Sequence, residues 1–190
     1  MAKTHIVLQG FGTFPVIFKA LILEARAQHL DIEWSIVCTT GHFVEEFEDL
    51  LGKDAVLYLN KDMAKHLKRA DILEGLSSYH GSMYWNIETE KRTTKNRKAM
   101  DQVHSAAALY HSIKAFLKHR QPTHALFAQM EGMDALTLLS TSKELGLKTL
   151  VPVNTRYMGE TFYSDSSMFT LPEHAKSLPE YREKAEMFLQ

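Results

Sequence analysis

Residues 122–160, PTHALFAQMEGMDALTLLSTSKELGLKTLVPVNTRYMGE, decide how this chain folds. Pro122 marks the exit from a preceding helix, and ALFAQ (125–129) is a short apolar run with β character. A loop, Met130–Asp134, leads into a helical stretch whose inner stripe includes Leu138 and Leu145. Asp134 can cap that helix, and Gly146 suits its C-terminal stop. LKTLVPV then forms another strand, where Pro152 argues for an edge position or an early end. The span reads strand, loop, helix, strand, loop, and both loops leave carboxyl ends of strands. In an open parallel sheet, ligands bind at those ends.

The same alternation extends toward the N-terminus. THIVLQ (4–9) is a buried first strand ending at Gly10, and Pro15 fits the first turn of the next helix. That helix runs to about His29, with Ile17, Leu21 and Ala25 on one face. DIEWSIVC (31–38) is the second strand, and HFVEEFEDLL is an amphipathic helix with Phe43, Phe47 and Leu50 inside. AVLYL (55–59) is the third strand, and a helix is expected near 62–70. Residues 96–119 carry the strongest helical stripe: Met100, Val103, Ala107, Tyr110, Ile113 and Leu117. Strands alternating with helices predict a single Rossmann-like α/β domain over 1–177, three layers deep. Its sheet is mostly parallel, of about five strands in the order 3-2-1-4-5, with helices on both faces. A C-terminal helix over 178–190 follows, in the position of a linker to a second domain. The pattern over 158–177 is weak.

Bulk composition narrows the function classes. With 22 Lys+Arg against 23 Asp+Glu the net charge is −1, which leaves no bulk attraction for nucleic acid. Cys38 is the only cysteine, so intrachain disulfides and thiolate zinc clusters are excluded. The N-terminus lacks the long apolar region of a signal peptide, and no apolar run approaches the roughly 20 residues of a membrane span. A cytoplasmic protein is expected. The basic run Lys91–Lys98 is either a solvated face or a contact for phosphate or an anionic membrane surface.

The predicted strand order puts its switch point between strands one and four. That brings Gly10-Phe11-Gly12-Thr13 beside Met130–Asp134, with Asn154–Tyr157 arriving from strand five. The glycines permit a tight turn and a close backbone approach. The third glycine of a dinucleotide fingerprint is missing and Cys38-Thr39-Thr40 offers no ribose-binding acid, which speaks against a classical NAD site. Glu131 and His42 are the candidate catalytic residues, as general base and as acid/base or hydrogen-bond donor. Candidate ligand-binding residues are Gly10, Phe11, Gly12, Thr13, Gly132, Asp134, Asn154, Arg156 and Tyr157. The Arg156 fork suits a phosphate or carboxylate, or else a salt bridge at the sheet edge. No histidine pair has metal-ligand spacing; His104 and His111 stand about 10 Å apart along a helix. No metal and no cofactor are therefore expected, and Cys38 reads as a buried structural thiol. The aromatic stretch Tyr79–Trp85 either fills core or stacks on a sugar or base.

Several stretches carry a resemblance. Met83-Tyr84-Trp85-Asn86-Ile87 precedes a charged segment and a long helix. Gln121-Pro122-Thr123-His124-Ala125-Leu126-Phe127 follows with Glu131-Gly132, then Lys143-Glu144-Leu145-Gly146-Leu147 and a strand leading to Arg156. Over roughly 83–160 the chain resembles the N-terminal half of bacterial capsule and surface-polysaccharide glycosyltransferases of the GT-B type. The resemblance implies an acceptor-side domain that receives a glycan or lipid-linked acceptor. It also implies a nucleotide-sugar donor held by a second domain, for which 190 residues leave no room. The residues themselves leave two other readings open: a non-catalytic Rossmann-type module for a nucleotide or small molecule, and a protein-interaction module that docks through 79–87.

Overall fold

The computed structural model describes residues 3–66, 99–129, 132–154 and 161–164. Strand β1 (Thr4–Gly10) is central, parallel to β2 (Ile32–Cys38) on one side and to β4 (His124–Leu126) on the other. Strand β3 (Val56–Tyr58) adds to β2, and β5 (Lys148–Asn154) adds to β4, also in parallel. The five parallel strands lie in the order 3-2-1-4-5, as the alternation predicts. A sixth strand, β6 (Thr161–Ser164), runs antiparallel along β5 and was not legible in the sequence. Strand β5 pairs with β4 over Lys148–Leu150 and with β6 over Val151–Asn154. Pro152 thus stands beyond the stretch that pairs with β4, where a missing N–H breaks no bond on that side.

Alternate side chains leave each strand on opposite faces, and the two cores follow from that. One face carries Val7, Val37, Ala125, Phe127 and Val151. It is covered by α4 (Ala99–Arg120) and α5 (Met133–Glu144), which supply Ile113, Leu117, Leu138 and Leu139. Helix α3 (Leu59–His66) adds Leu59 and Met63 to the same core. The other face carries Leu8, Ile36, Cys38 and Leu126 under α1 (Pro15–Ala27) and α2 (Gly41–Leu51). With helices on both faces, the strands can be apolar on both sides, and β2 ends in five consecutive buried residues.

Helix α1 turns a different face inward from the one read off the sequence. Phe18, Ile22 and Ala25 are buried with Pro15, whereas Ile17 is 62% exposed and Leu21 39%. Two overlapping apolar rows share Ala25, and spacing alone cannot rank them. The neighbour decides: Lys19 pairs with Glu46 of α2, and Arg26 Nη2 donates to the Leu50 carbonyl at 2.9 Å. In α2, Phe43 and Phe47 are buried as expected and Leu50 is half-buried; in α4, Ala107, Tyr110, Ile113 and Leu117 are buried. Gly146 stops α5 at φ +75°, with Leu147 N–H bonded to Ser142 O and Gly146 N–H to Lys143 O. His29 stops α1 by the same pattern at φ +55°.

Candidate functional site

The switch point forms where predicted, because β1 has β2 and β4 as its neighbours. The β1–α1 turn at Gly10–Phe14 and the β4–α5 loop therefore open on the same edge. The two glycines of the first turn do different jobs. A Cβ on Gly10 would lie 2.8 Å from Ile36 Cδ1 and 2.9 Å from the Val37 carbonyl oxygen, so this glycine lets β1 and β2 approach. Gly12 has φ +59° and nothing within 4 Å of its Cβ direction, so it serves the turn and leaves open space above it. Thr13 is exposed, while the Phe11 side chain belongs to the core under α4 and α5. The first turn of α1 is largely self-satisfied. Val16 N–H bonds to Thr13 O, Ile17 N–H bonds to Phe14 O, and Pro15 has no N–H to offer.

On the β4 side, Gly132 takes the N-cap position of α5 with φ +93°, and no side chain caps it. The capping role expected of Asp134 is corrected in position. Asp134 sits inside the first turn, where its Oδ1 accepts the Ala135 N–H at 2.9 Å. A carboxylate there still complements the positive end of the helix dipole.

Between these loops lies a residue that sequence reasoning passed over. Gln9 is fully buried, next to last in β1, on the face shared with Val7. Its Oε1 accepts the Ala128 N–H at 2.8 Å and the Gln129 N–H at 3.1 Å, so it ties the β4–α5 loop to β1. Its Nε2 is buried without a hydrogen-bond partner. A buried unpaired donor costs about 1–3 kcal/mol. The signal was present in THIVLQG: one amide in a strand whose last four positions are all buried.

His42 is the second residue of α2, exposed, with its ring against Phe43 at 3.8 Å between centroids. It follows β2 and belongs to the opposite helical layer from α5, so β1 stands between its strand and β4. Asn154 ends β5, with its backbone paired to Thr161. Glu131, Arg156 and Tyr157 lie outside the described residues, as do the 79–87 aromatics, the 91–98 basic run and the 178–190 segment.

A second polar cluster lies at the opposite, amino edge of the sheet. His5 Nε2 is 3.1 Å from Ser35 Oγ and His5 Nδ1 is 4.0 Å from Glu33, which Arg120 Nη2 meets at 2.6 Å. The residue types match a hydrolytic triad, but the geometry does not. Ser35 has no solvent exposure, and the carboxylate is too far to orient the ring by a hydrogen bond. The cluster instead joins α4 to β1 and β2. Burial holds the His5 pKa below its usual value, although Glu33 pulls it the other way.

Burial also pushes the Cys38 thiol up to about 12, so it is a structural thiol, as expected. Among the described residues, no three metal-ligating side chains gather, and no helix is long and apolar enough to cross a membrane. A shallow depression lined by Lys143, Gly146 and Lys148 lies at the amino end of β5, away from the switch point. Compared with protein-family models, with curated proteins and with solved structures, the chain has no significant match.

Proposed function

We propose that this chain is an acceptor-side domain of a GT-B-type glycosyltransferase of bacterial surface or capsular polysaccharide synthesis. The supporting observation is the reversal of strand order at β1 and β4, which gathers the β1–α1 and β4–α5 loops at one carboxyl edge. In this reading the edge receives a hydroxyl of a glycan or lipid-linked acceptor. Glu131 takes the hydroxyl proton as the oxygen forms the new glycosidic bond, and the nucleotide leaves with the donor's electron pair. His42 is proposed as a hydrogen-bond donor at the same edge. Arg156 and Tyr157 hold acceptor groups, and a second domain brings the nucleotide sugar. Residues 91–98 are proposed as the contact with an anionic membrane surface, and the cytoplasm as the compartment.

The test is a binding screen of the fluorescently labelled chain against bacterial surface glycans and against free nucleotides. Saturable glycan binding with no nucleotide binding is the expected result. Nucleotide binding without any glycan binding overturns the reading in favour of a nucleotide-binding module. In an assay with the donor domain present, Glu131→Ala should slow transfer by about 100-fold or more. Unchanged transfer removes Glu131 from the chemistry.

A further inference from the structure

We propose that the outer face of α1 is a homodimer surface, on which a second copy of this chain seats its own α1 running in the opposite direction. This role does not depend on what the carboxyl edge of the sheet binds.

Of the thirteen residues of α1, only Lys19, Glu24 and Arg26 carry charge. The inward row, Phe18, Ile22 and Ala25, belongs to the core against β1 and β2. Yet Val16, Ile17, Leu21 and Leu23 of the same helix are exposed, as is Leu30 just past its end. Among the described residues, Leu150 is the one other large apolar side chain so exposed. The neighbouring α2 turns Glu45 and Asp49 to solvent, as a surface helix ordinarily does. A helix that is apolar around its whole circumference is one covered on both sides. The charges of α1 are already engaged within the chain. Lys19 pairs with Glu46, Arg26 donates to the Leu50 carbonyl, and Gln28 Nε2 donates to Glu24 Oε1 at 2.7 Å.

Spacing points to the occupant. Val16, Ala20, Leu23 and Ala27 follow one another at steps of four, three and four residues, and all are exposed. That is the spacing of a helix–helix seam. Large and small side chains alternate along it. When two copies pair antiparallel about a two-fold axis between Ala20 and Leu23, Val16 meets the partner's Ala27 and Ala20 meets the partner's Leu23. A large side chain then faces a small one in every layer, which lets the helices interdigitate. Parallel pairing would set leucine on leucine and alanine on alanine, with gaps beside crowded layers. The seam thus complements its own reverse, as a two-fold interface requires.

The area fits a reversible dimer. The exposed apolar side chains of α1 offer on the order of 450 Å² per copy, within the range of the largest and often functional patches on monomers. Pairing would cover about 900 Å² in all, the size of a weak, concentration-dependent interface and not of a permanent one. Helix α1 is already held in place by its inner row, so docking costs little ordering entropy.

Sedimentation velocity of the intact chain, from about 1 to about 200 μM, tests the pairing. A monomer–dimer equilibrium is expected. Leu23→Ala sets alanine against the partner's Ala20, and Ala20→Leu sets leucine against the partner's Leu23. Each should raise the dissociation constant about tenfold or more, while the double variant, which exchanges the two residues, should return it to within about threefold. All these side chains are exposed, and unchanged far-UV circular dichroism verifies that the fold is kept. A chain that stays monomeric throughout overturns the proposal. So does a dimer that both single variants leave unchanged, since its interface then lies elsewhere. Parallel pairing predicts instead that Ala20→Leu tightens the dimer, which would overturn the antiparallel seam. A monomer in which NMR shows the Leu23 methyl groups in contact with residues 178–190 gives the face to the chain's own C-terminal segment and likewise overturns the second copy.

Discussion

Replacing Gly10 by alanine tests whether the Gly10–Gly12 turn is held for packing or for a ligand. The new methyl would meet Ile36 Cδ1 and Cγ1 at 2.8 Å and the Val37 carbonyl oxygen at 2.9 Å, all well inside contact distance. Ile36 has no solvent exposure and cannot swing clear, and the carbonyl oxygen belongs to the β2 backbone. Overpacking of this kind costs about 1–3 kcal/mol, and the rigid backbone partner points to the upper end. The lower unfolded-state entropy of alanine returns about 0.4–1 kcal/mol. A net loss of about 2 kcal/mol follows, or a Tm drop of about 4–8 °C for a chain of this size.

Gly12→Ala meets nothing within 4 Å and bears only the strain of φ +59°. That strain is about 1–2 kcal/mol, and the same entropy gain offsets it to a net loss of at most about 1.6 kcal/mol. Urea unfolding, followed by far-UV circular dichroism and by tryptophan fluorescence from buried Trp34, separates the two variants. Ile36→Val in the Gly10→Ala background should recover only part of the loss, because Cγ1 and the Val37 oxygen remain. A Gly10→Ala chain within about 0.5 kcal/mol of the parent, or more stable than Gly12→Ala, would refute the packing argument.

Three further outcomes are expected. His5 and His124 both have pKa values lowered by burial, His124 also by Lys148, so the unfolded chain binds more protons than the folded one below pH 6.5. Stability should fall as pH drops from 6.5 toward the depressed folded values and level off beneath them. His5→Gln should shrink that fall in urea midpoints, and an unchanged pH profile would count against it. Cys38, buried with its pKa near 12, should resist a thiol reagent at neutral pH and react fully in urea; fast native labelling would contradict its burial. Lys114 Nζ lies 2.7 Å from Glu144, and the Tyr110 hydroxyl donates to the same carboxylate at 2.9 Å, joining α4 to α5. A double-mutant cycle with Lys114→Met and Glu144→Gln should give a coupling of about 0.5–3 kcal/mol, and a value near zero would mean that the clip is only geometric.

The order of elements was legible because burial on both sheet faces leaves a strong trace. Apolar runs such as THIVLQ and DIEWSIVC recur between stretches with helical spacing, and right-handed crossovers leave few orders to choose from. Individual faces were less legible. The rows Ile17–Leu21–Ala25 and Phe18–Ile22–Ala25 are both apolar, and the Lys19–Glu46 pair with α2 belongs to the packing that selects the second. The cap of α5 was misplaced by two residues because Gly132 and Asp134 both suit a helix start. Strand β6 has four residues and pairs only with the outer half of β5, so it had little pattern to show.

By itself, then, the amino-acid sequence determined the alternation of strands and helices, their parallel order, and the place where the strand order reverses. Each of these follows from local periodicity and chain connectivity. Only the tertiary structure decided which glycine is needed for packing and which for the turn, because that depends on atoms of β2 that lie far along the chain from Gly10. The same holds for Gln9. As a letter in a β-strand it is unremarked; folded, it is an amide anchored through its oxygen, with its nitrogen unpaired at the point where the strand order reverses.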